Sequence, residues 1–190
     1  MAAGDRRLVT DHAASCTHPR RQARLAKTAL ESYGLLWLGT LLVAIVAIPI
    51  AGDVRSFMRL RLTTAPSGNA GIAALLAANN LRVAAVPLLL AALSNGRRRW
   101  PPVVGDVIVS ASLTVNVALG GLALGAYGPR LMPYLPQWPL EWGGLALVLT
   151  GWRRARYQRR DLCELLLLSI GAALLTCLAA LLETYAVPQA

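Results

Sequence analysis

The stretch LCELLLLSIGAALLTCLAALLETYAV, residues 162 to 187, consists almost entirely of apolar and small side chains. Every residue from Leu165 to Leu182 is apolar or small, and an uncharged run of about 18 residues or more is typical of a transmembrane helix. Glu183 then places a carboxylate close to the end of the same helix. The stretch therefore predicts a membrane span, and it raises the question of what Glu183 contacts.

The composition of the whole chain agrees with this interpretation. Of its 190 residues, 56% are hydrophobic, and the mean hydropathy is +0.51. This composition is typical of a multi-spanning helical membrane protein rather than of a soluble domain. The net charge of +10 comes from basic residues that lie between the apolar runs, which favours the positive-inside rule over nucleic-acid binding. We expect an all-α polytopic bundle surrounded by membrane lipids, with no nucleic-acid partner.

Five transmembrane helices are predicted from the apolar runs. They cover residues 35–51, 69–93, 103–127, 140–152 and 162–187. The fourth run is short for a span, so a re-entrant segment is the alternative. With the N-terminus inside, fourteen basic residues fall on the inner side and four on the outer side. A re-entrant segment would place the five arginines that follow it outside, so the positive-inside rule favours five spans with the C-terminus outside.

The N-terminal residues 1–32 are expected to form a basic cytoplasmic tail ahead of a transmembrane domain at 33–190. The first 30 residues contain six basic residues and no apolar signal core, and Gln22 to Ser32 could form a short basic helix at the membrane surface. His12, Cys16 and His18 lie close together but lack a fourth ligand and a CxxC spacing. We therefore predict no metal site and no cofactor.

Polar residues from distant parts of the chain are predicted to lie at similar depths in the membrane. Ionisable groups inside a membrane are costly and normally face the bundle interior. The simplest arrangement pairs Arg82 with one or both glutamates, with a shared proton or an asparagine donor beside them. Such a cluster could be structural, with Glu183 as a counter-ion, or it could bind a peptide or partner or perform acid/base chemistry. Its members are Asn79, Asn80, Arg82, Asn116, Glu141 and Glu183.

Two further features are a helix-packing motif and a proline-rich turn. Gly121 and Gly125 form a GxxxG motif, which allows another helix to approach closely. The segment PRLMPYLPQWPLEW, residues 129–142, contains four prolines and two tryptophans. It predicts an ordered interfacial turn with an aromatic belt, around Pro136 and Gln137.

Four motifs in order resemble the stage II sporulation protein M (SpoIIM-like) family of bacterial membrane proteins. They are AANNLRVAAV at 77–86, TVNVALGGLALG at 114–125, LPQWPLEWGGLAL at 135–147 and AALLETYAVP at 179–188. The matching residues are Asn79, Asn80, Asn116, Pro136, Glu141, Ala179, Ala180, Glu183 and Pro188. Gln137 and Trp138 stand where the family usually has His and Gly, which lowers the expectation of hydrolysis by this chain alone.

The resemblance implies a scaffold in the bacterial cytoplasmic (inner) membrane. Similar proteins work with partners in peptidoglycan remodelling, or in maturation or export of ribosomally made, bacteriocin-like peptides. We therefore expect a non-catalytic subunit whose partner is another membrane protein or a cell-wall or peptide-processing enzyme, or which forms a homo-oligomer. One alternative is an intramembrane enzyme, or half of a bipartite membrane peptidase, using Glu141 and Glu183 as acid/base groups. Another is a permease subunit. The chain contains no GxxxxGK[ST] and no HExxH motif.

Overall fold

The computed structural model describes residues 19–58, 70–93, 102–157 and 162–185, and the regular elements in these ranges are helices. Two 3₁₀ segments, Ile48–Ile50 and Gly128–Tyr134, follow the helices Pro19–Ala47 and Pro102–Tyr127, respectively. The expected all-α bundle is confirmed. The predicted features at His12, Cys16, His18 and Pro188 lie outside the described residues. The helices are α1 (Pro19–Ala47), α2 (Ala51–Met58), α3 (Ala70–Leu93), α4 (Pro102–Tyr127), α5 (Trp138–Tyr157) and α6 (Leu162–Tyr185).

Four segments of the described chain are long and apolar enough to cross a membrane. They are Arg21–Met58, Ala73–Leu90, Val103–Met132 and Leu162–Tyr185. Large apolar side chains such as Ile45, Leu75 and Leu166 are exposed on the outside of these helices. In water this would be unfavourable, whereas lipid solvates such surfaces. The chain is therefore a multi-pass membrane protein by the length and composition of its helices.

Helix α5 lies in the centre of the bundle, in contact with α1, α3 and α6. It is a continuous helix of 20 residues, about 30 Å long at 1.5 Å per residue, so it does not form a re-entrant loop. Ala146, Val148, Thr150 and Ala155 on this helix are all buried. Because neighbouring helices take the place of lipid around α5, its sequence does not need the continuous apolar character of the other spans.

Helix α1 starts earlier than the first predicted span. The expected basic helix of residues 22–32 and the span that begins at residue 35 form one helix from Pro19 to Ala47. This helix continues through residues 32 and 33, where the boundary between the basic tail and the transmembrane domain was expected. Pro49 then lies in the 3₁₀ segment, where a missing backbone N–H costs little.

Helices α1 and α4 run in the same direction and meet at the GxxxG motif. A methyl group added at Gly121 would lie 2.5 Å from Val43 Cβ, and one added at Gly125 would lie 2.7 Å from Ala47 Cβ. Real carbon atoms do not approach so closely, so both positions must lack a side chain. The motif thus brings the two helix backbones together.

Ion pairs hold the helices together at one end of the bundle, which we call the ion-paired end. Glu164, at the start of α6, is only 4% exposed and pairs with Arg21 of α1 and with Arg154, whose Nε lies 3.0 Å from Glu164 Oε2. Asp106, near the start of α4, pairs with Arg156 at 3.2 Å. The starts of α1, α4 and α6 therefore lie at the same end as the end of α5.

Candidate functional site

A polar cavity of about 240 Å³ lies between α3, α4, α5 and α6. Its apolar lining is Val83, Ala84, Leu119, Gly120 and Leu145, and the indoles of Trp138 and Trp142 also face it. Its polar lining consists of Asn79, Asn80, Asn116, Glu141 and Thr176. Four of the six residues expected to form an intramembrane polar cluster therefore line one cavity.

The cavity lies well away from the ion-paired end. Asn116 follows Asp106 by ten residues on α4, and Thr176 follows Glu164 by twelve residues on α6. At 1.5 Å per residue these separations are about 15 and 18 Å. The cavity thus lies at or beyond the middle of a bilayer about 30 Å thick, on the side opposite the ion-paired end.

Three side chains of the cavity lining each donate one hydrogen bond within the protein and keep an oxygen acceptor. Asn80 Nδ2 donates to Glu141 Oε1 at 3.3 Å, and Asn116 Nδ2 donates to the carbonyl oxygen of Ser112 at 2.8 Å. The hydroxyl of Thr176 donates to the carbonyl oxygen of Ala172 at 2.7 Å. Each of these lining residues therefore retains an oxygen with free lone pairs.

Glu183 lies outside the cavity lining but within electrostatic range of Glu141. Helices α5 and α6 are antiparallel, with Gly144 packed against Thr176. Glu183 therefore lies nearer the end of the bundle at which α5 begins than Glu141 does. The two half-buried carboxylates repel each other when both are charged.

The structure does not bring Arg82 to this cluster. Consecutive residues of an α-helix are about 100° apart, so Arg82 points away from Asn80 and is exposed on the opposite side of α3. Within the described ranges, no ion pair joins Arg82 to Glu141 or Glu183. The expected pairing is therefore not formed. The sequence placed Arg82 within a span but did not indicate the direction of its side chain.

The turn at Pro136 and Gln137 places Glu141 at the cavity. The carbonyl oxygen of Gln137 accepts the backbone N–H groups of Leu140 and Glu141 at 3.0 and 3.1 Å, which starts α5. The Gln137 side chain is buried, and its Oε1 has no hydrogen-bond partner in the described part of the chain. Gln137 therefore fixes the first turn of the helix that carries Glu141.

Several residues of the site and of the bundle were not identified from the sequence. Trp138 and Trp142, four residues apart on one face of α5, both lie near the Trp37 ring of α1. They were interpreted as part of an interfacial belt, although their i, i+4 spacing could have indicated a shared inward face. The ion-paired role of Glu164 was also missed. Its position in the first turn after an arginine-rich segment was the available signal.

The fold and cavity define a class: a polytopic α-helical membrane bundle with a partly open polar cavity between its helices. Comparisons with known protein families, curated proteins and solved structures find no match to this chain. The resemblance to the stage II sporulation protein M family therefore rests on the four motifs alone. Among the described residues, no group of three or more His, Cys, Asp or Glu side chains could hold a metal ion.

Proposed function

We propose that this chain is a non-catalytic subunit of a membrane complex in the bacterial cytoplasmic membrane. The observation that supports this role best is the exposed Arg82 in the middle of α3. If the chain is similar in role to the stage II sporulation protein M family that it resembles, the complex would act in peptidoglycan remodelling or in maturation or export of a ribosomally made peptide. The chain would supply a binding surface inside the membrane, and its partner would perform the chemistry.

Arg82 lies in the middle of the apolar segment Ala73–Leu90, yet its side chain is exposed. An arginine at the centre of a membrane helix costs roughly 2.5 to 3.5 kcal/mol on insertion scales. Arg82 forms no ion pair with a described carboxylate that would offset this cost. A carboxylate on a neighbouring membrane helix would offset it.

The residues around Arg82 form a stripe suited to another helix. We call this stripe the α3 seam. Its successive members are spaced four, three, four and three residues apart, which is the spacing of helix–helix contacts in coiled coils. All five are exposed in this chain. The members of the α3 seam are Leu75, Asn79, Arg82, Val86 and Leu89.

The chemistry of the α3 seam favours a different protein over a second copy of this chain. A symmetric dimer would place the same surface patch on both sides of the contact. Two copies of Arg82 would then face each other, and like charges in a membrane repel strongly. The favoured partner is a membrane helix with Asp or Glu opposite Arg82 and a polar group opposite Asn79.

The test is photo-crosslinking in native membranes. A crosslinking amino acid at Val86, 40% exposed in the α3 seam, should capture one partner, whereas the same group at Leu174, 60% exposed on α6, should not. Arg82→Glu should abolish the product, and exchanging the opposing carboxylate of the partner for Arg should restore it. Equal products from both sites, or a product unchanged by Arg82→Glu, would disprove the proposal.

A second candidate function is an intramembrane enzyme that uses Glu141 and Glu183. The location of Glu141 in a cavity and its proximity to Glu183 favour this alternative. Substitutions at these two glutamates distinguish the scaffold from the enzyme. Glu141→Gln and Glu183→Gln should leave a purely scaffolding subunit functional in cells. Loss of function with the complex intact would favour the enzyme.

A further inference from the structure

The two carboxylates at the ion-paired end and the two near the cavity differ in their partners. Glu164 pairs with two arginines, and Asp106 pairs with Arg156 and accepts the indole N–H of Trp152 at 3.1 Å. By contrast, neither Glu141 nor Glu183 lies within ion-pair distance of a described Lys or Arg. A buried carboxylate is stable as an ion only with a compensating positive charge. A cation bound in the cavity would supply this charge to ionised Glu141.

The other polar groups of the cavity complement such a cation. Asn80, Asn116 and Thr176 each use a side-chain donor for contacts within the protein, as described above, and present oxygen atoms. Together with Glu141 they form a set of acceptors. An ammonium group has three N–H donors and no acceptor, so it matches these oxygens, and the carboxylate of Glu141 disfavours an anion.

The aromatic lining favours an organic cation over a metal ion. Trp138 and Trp142 both face the cavity, and indole faces attract cations more strongly than other aromatic rings do. Leu119 and Leu145 supply apolar surface for a hydrocarbon body. The volume of about 240 Å³ exceeds the roughly 150 Å³ of an engineered apolar cavity that holds benzene. A molecule with one small ring and an ammonium group therefore fits.

We propose that this cavity is a binding site for the ammonium group of a small organic cation, with Glu141 as its counter-ion. Asn80, Asn116 and Thr176 accept the N–H bonds, and the two tryptophans contact the apolar body. The site shares Asn79 with the α3 seam but uses no other member of it, so the proposal does not rest on partner binding through Arg82. A chain that binds the cation without a partner, or a partner without the cation, would separate the two proposals.

The experiment measures binding of phenethylammonium to the purified full-length chain in detergent by isothermal titration calorimetry. Its neutral counterpart, 2-phenylethanol, has nearly the same shape and tests the charge. Wild type should bind the ammonium compound and show no saturable binding of the alcohol. Glu141→Gln should weaken binding about tenfold to a hundredfold, the loss expected for a hydrogen bond to a charged group. The exposed Glu31→Gln should leave it unchanged.

A second variant keeps the proposal testable if Glu141→Gln does not fold. Leu145→Trp retains Glu141 but adds bulk at a partly buried position of the cavity lining, so it should also abolish binding. Absence of saturable phenethylammonium binding to wild type, equal binding of 2-phenylethanol, or full binding by folded Glu141→Gln would each overturn the proposal. Displacement by millimolar sodium chloride but not by choline chloride would assign the site to a metal ion instead, which would also overturn it.

Discussion

Gly121 of α4 lies directly against the backbone of Thr40 on α1. A methyl group at Gly121 would stand 2.7 Å from the Thr40 carbonyl oxygen and 2.5 Å from Val43 Cβ. Backbone atoms cannot move aside as the end of a flexible side chain can. The contact between the two parallel helices therefore depends on the missing side chain at Gly121, as it does at Gly125.

We expect Gly121→Ala to destabilise the bundle by about 1 to 3 kcal/mol, the usual cost of overpacking a close contact. The matched control is Gly34→Ala on α1, where nothing lies within 4 Å of the added methyl group. That substitution should be neutral or should stabilise the helix by up to about 1 kcal/mol, because Ala favours helices more than Gly does. Unfolding free energies measured in mixed detergent micelles would compare them. Equal effects would contradict the packing described here.

Replacing Glu164 by Gln should lower stability strongly, because two arginines then lose a buried counter-ion. Removing one partner of a buried ion pair typically costs about 3 to 5 kcal/mol. Glu31→Gln is the control, since Glu31 is exposed and its pair with Lys27 is 4.0 Å long. Such surface pairs contribute about 0 to 1 kcal/mol. The same unfolding assay distinguishes them, and similar losses for both variants would be evidence against a buried ion pair.

Replacing either of two arginines by leucine should have different effects on the stability of the isolated chain. Arg154→Leu leaves buried Glu164 with one fewer partner and should destabilise the fold. Arg82→Leu removes an exposed charge from an apolar helix and should leave stability unchanged or raise it. Thermal denaturation in detergent provides the comparison. A large loss for Arg82→Leu would indicate a contact that the described structure does not contain.

Cysteine labelling in intact cells tests the orientation. Met132→Cys, after α4, should react with an impermeant maleimide from outside, whereas Tyr157→Cys, at the end of α5, should react only after permeabilisation. Both parent side chains are well exposed, at 67% and 75%. Comparison with the parent chain removes the signal of native thiols. The opposite pattern would reverse the orientation that the arginine distribution predicts.

The ends of several helices could be predicted because local sequence determines them. The apolar run 69–93 differs by one residue from α3, and 103–127 differs by one residue from α4. Arginines, glycines and prolines flank these runs, and charged groups stop a span at the membrane surface. The start of α1 was missed, because nothing in the basic segment 22–32 separates it from the following helix.

The cavity could be predicted only in part. Depth follows from residue number along a helix, which is why Asn80, Asn116 and Glu141 were expected together. The direction of a side chain depends on how the helix is rotated about its axis, and the weakly amphipathic α3 gives little indication of that rotation. This explains why Asn80 faces the cavity whereas Arg82 does not. The contacts of Glu164 with Arg21 depend on the packing of helices far apart in sequence.

The contact between Arg21 and Glu164 also has a consequence for biosynthesis. Arg21 precedes Glu164 by 143 residues, and a chain is synthesised from its N-terminus at about 5 to 20 residues per second. For several seconds during synthesis, the nascent chain therefore contains Arg21 but not yet Glu164. By the positive-inside rule, the charge of Arg21 favours keeping the start of α1 on the side of synthesis before Glu164 is made. Once α6 inserts, the same charge pairs with buried Glu164. One side chain can therefore contribute first to the orientation of the nascent chain and later to the stability of the folded bundle.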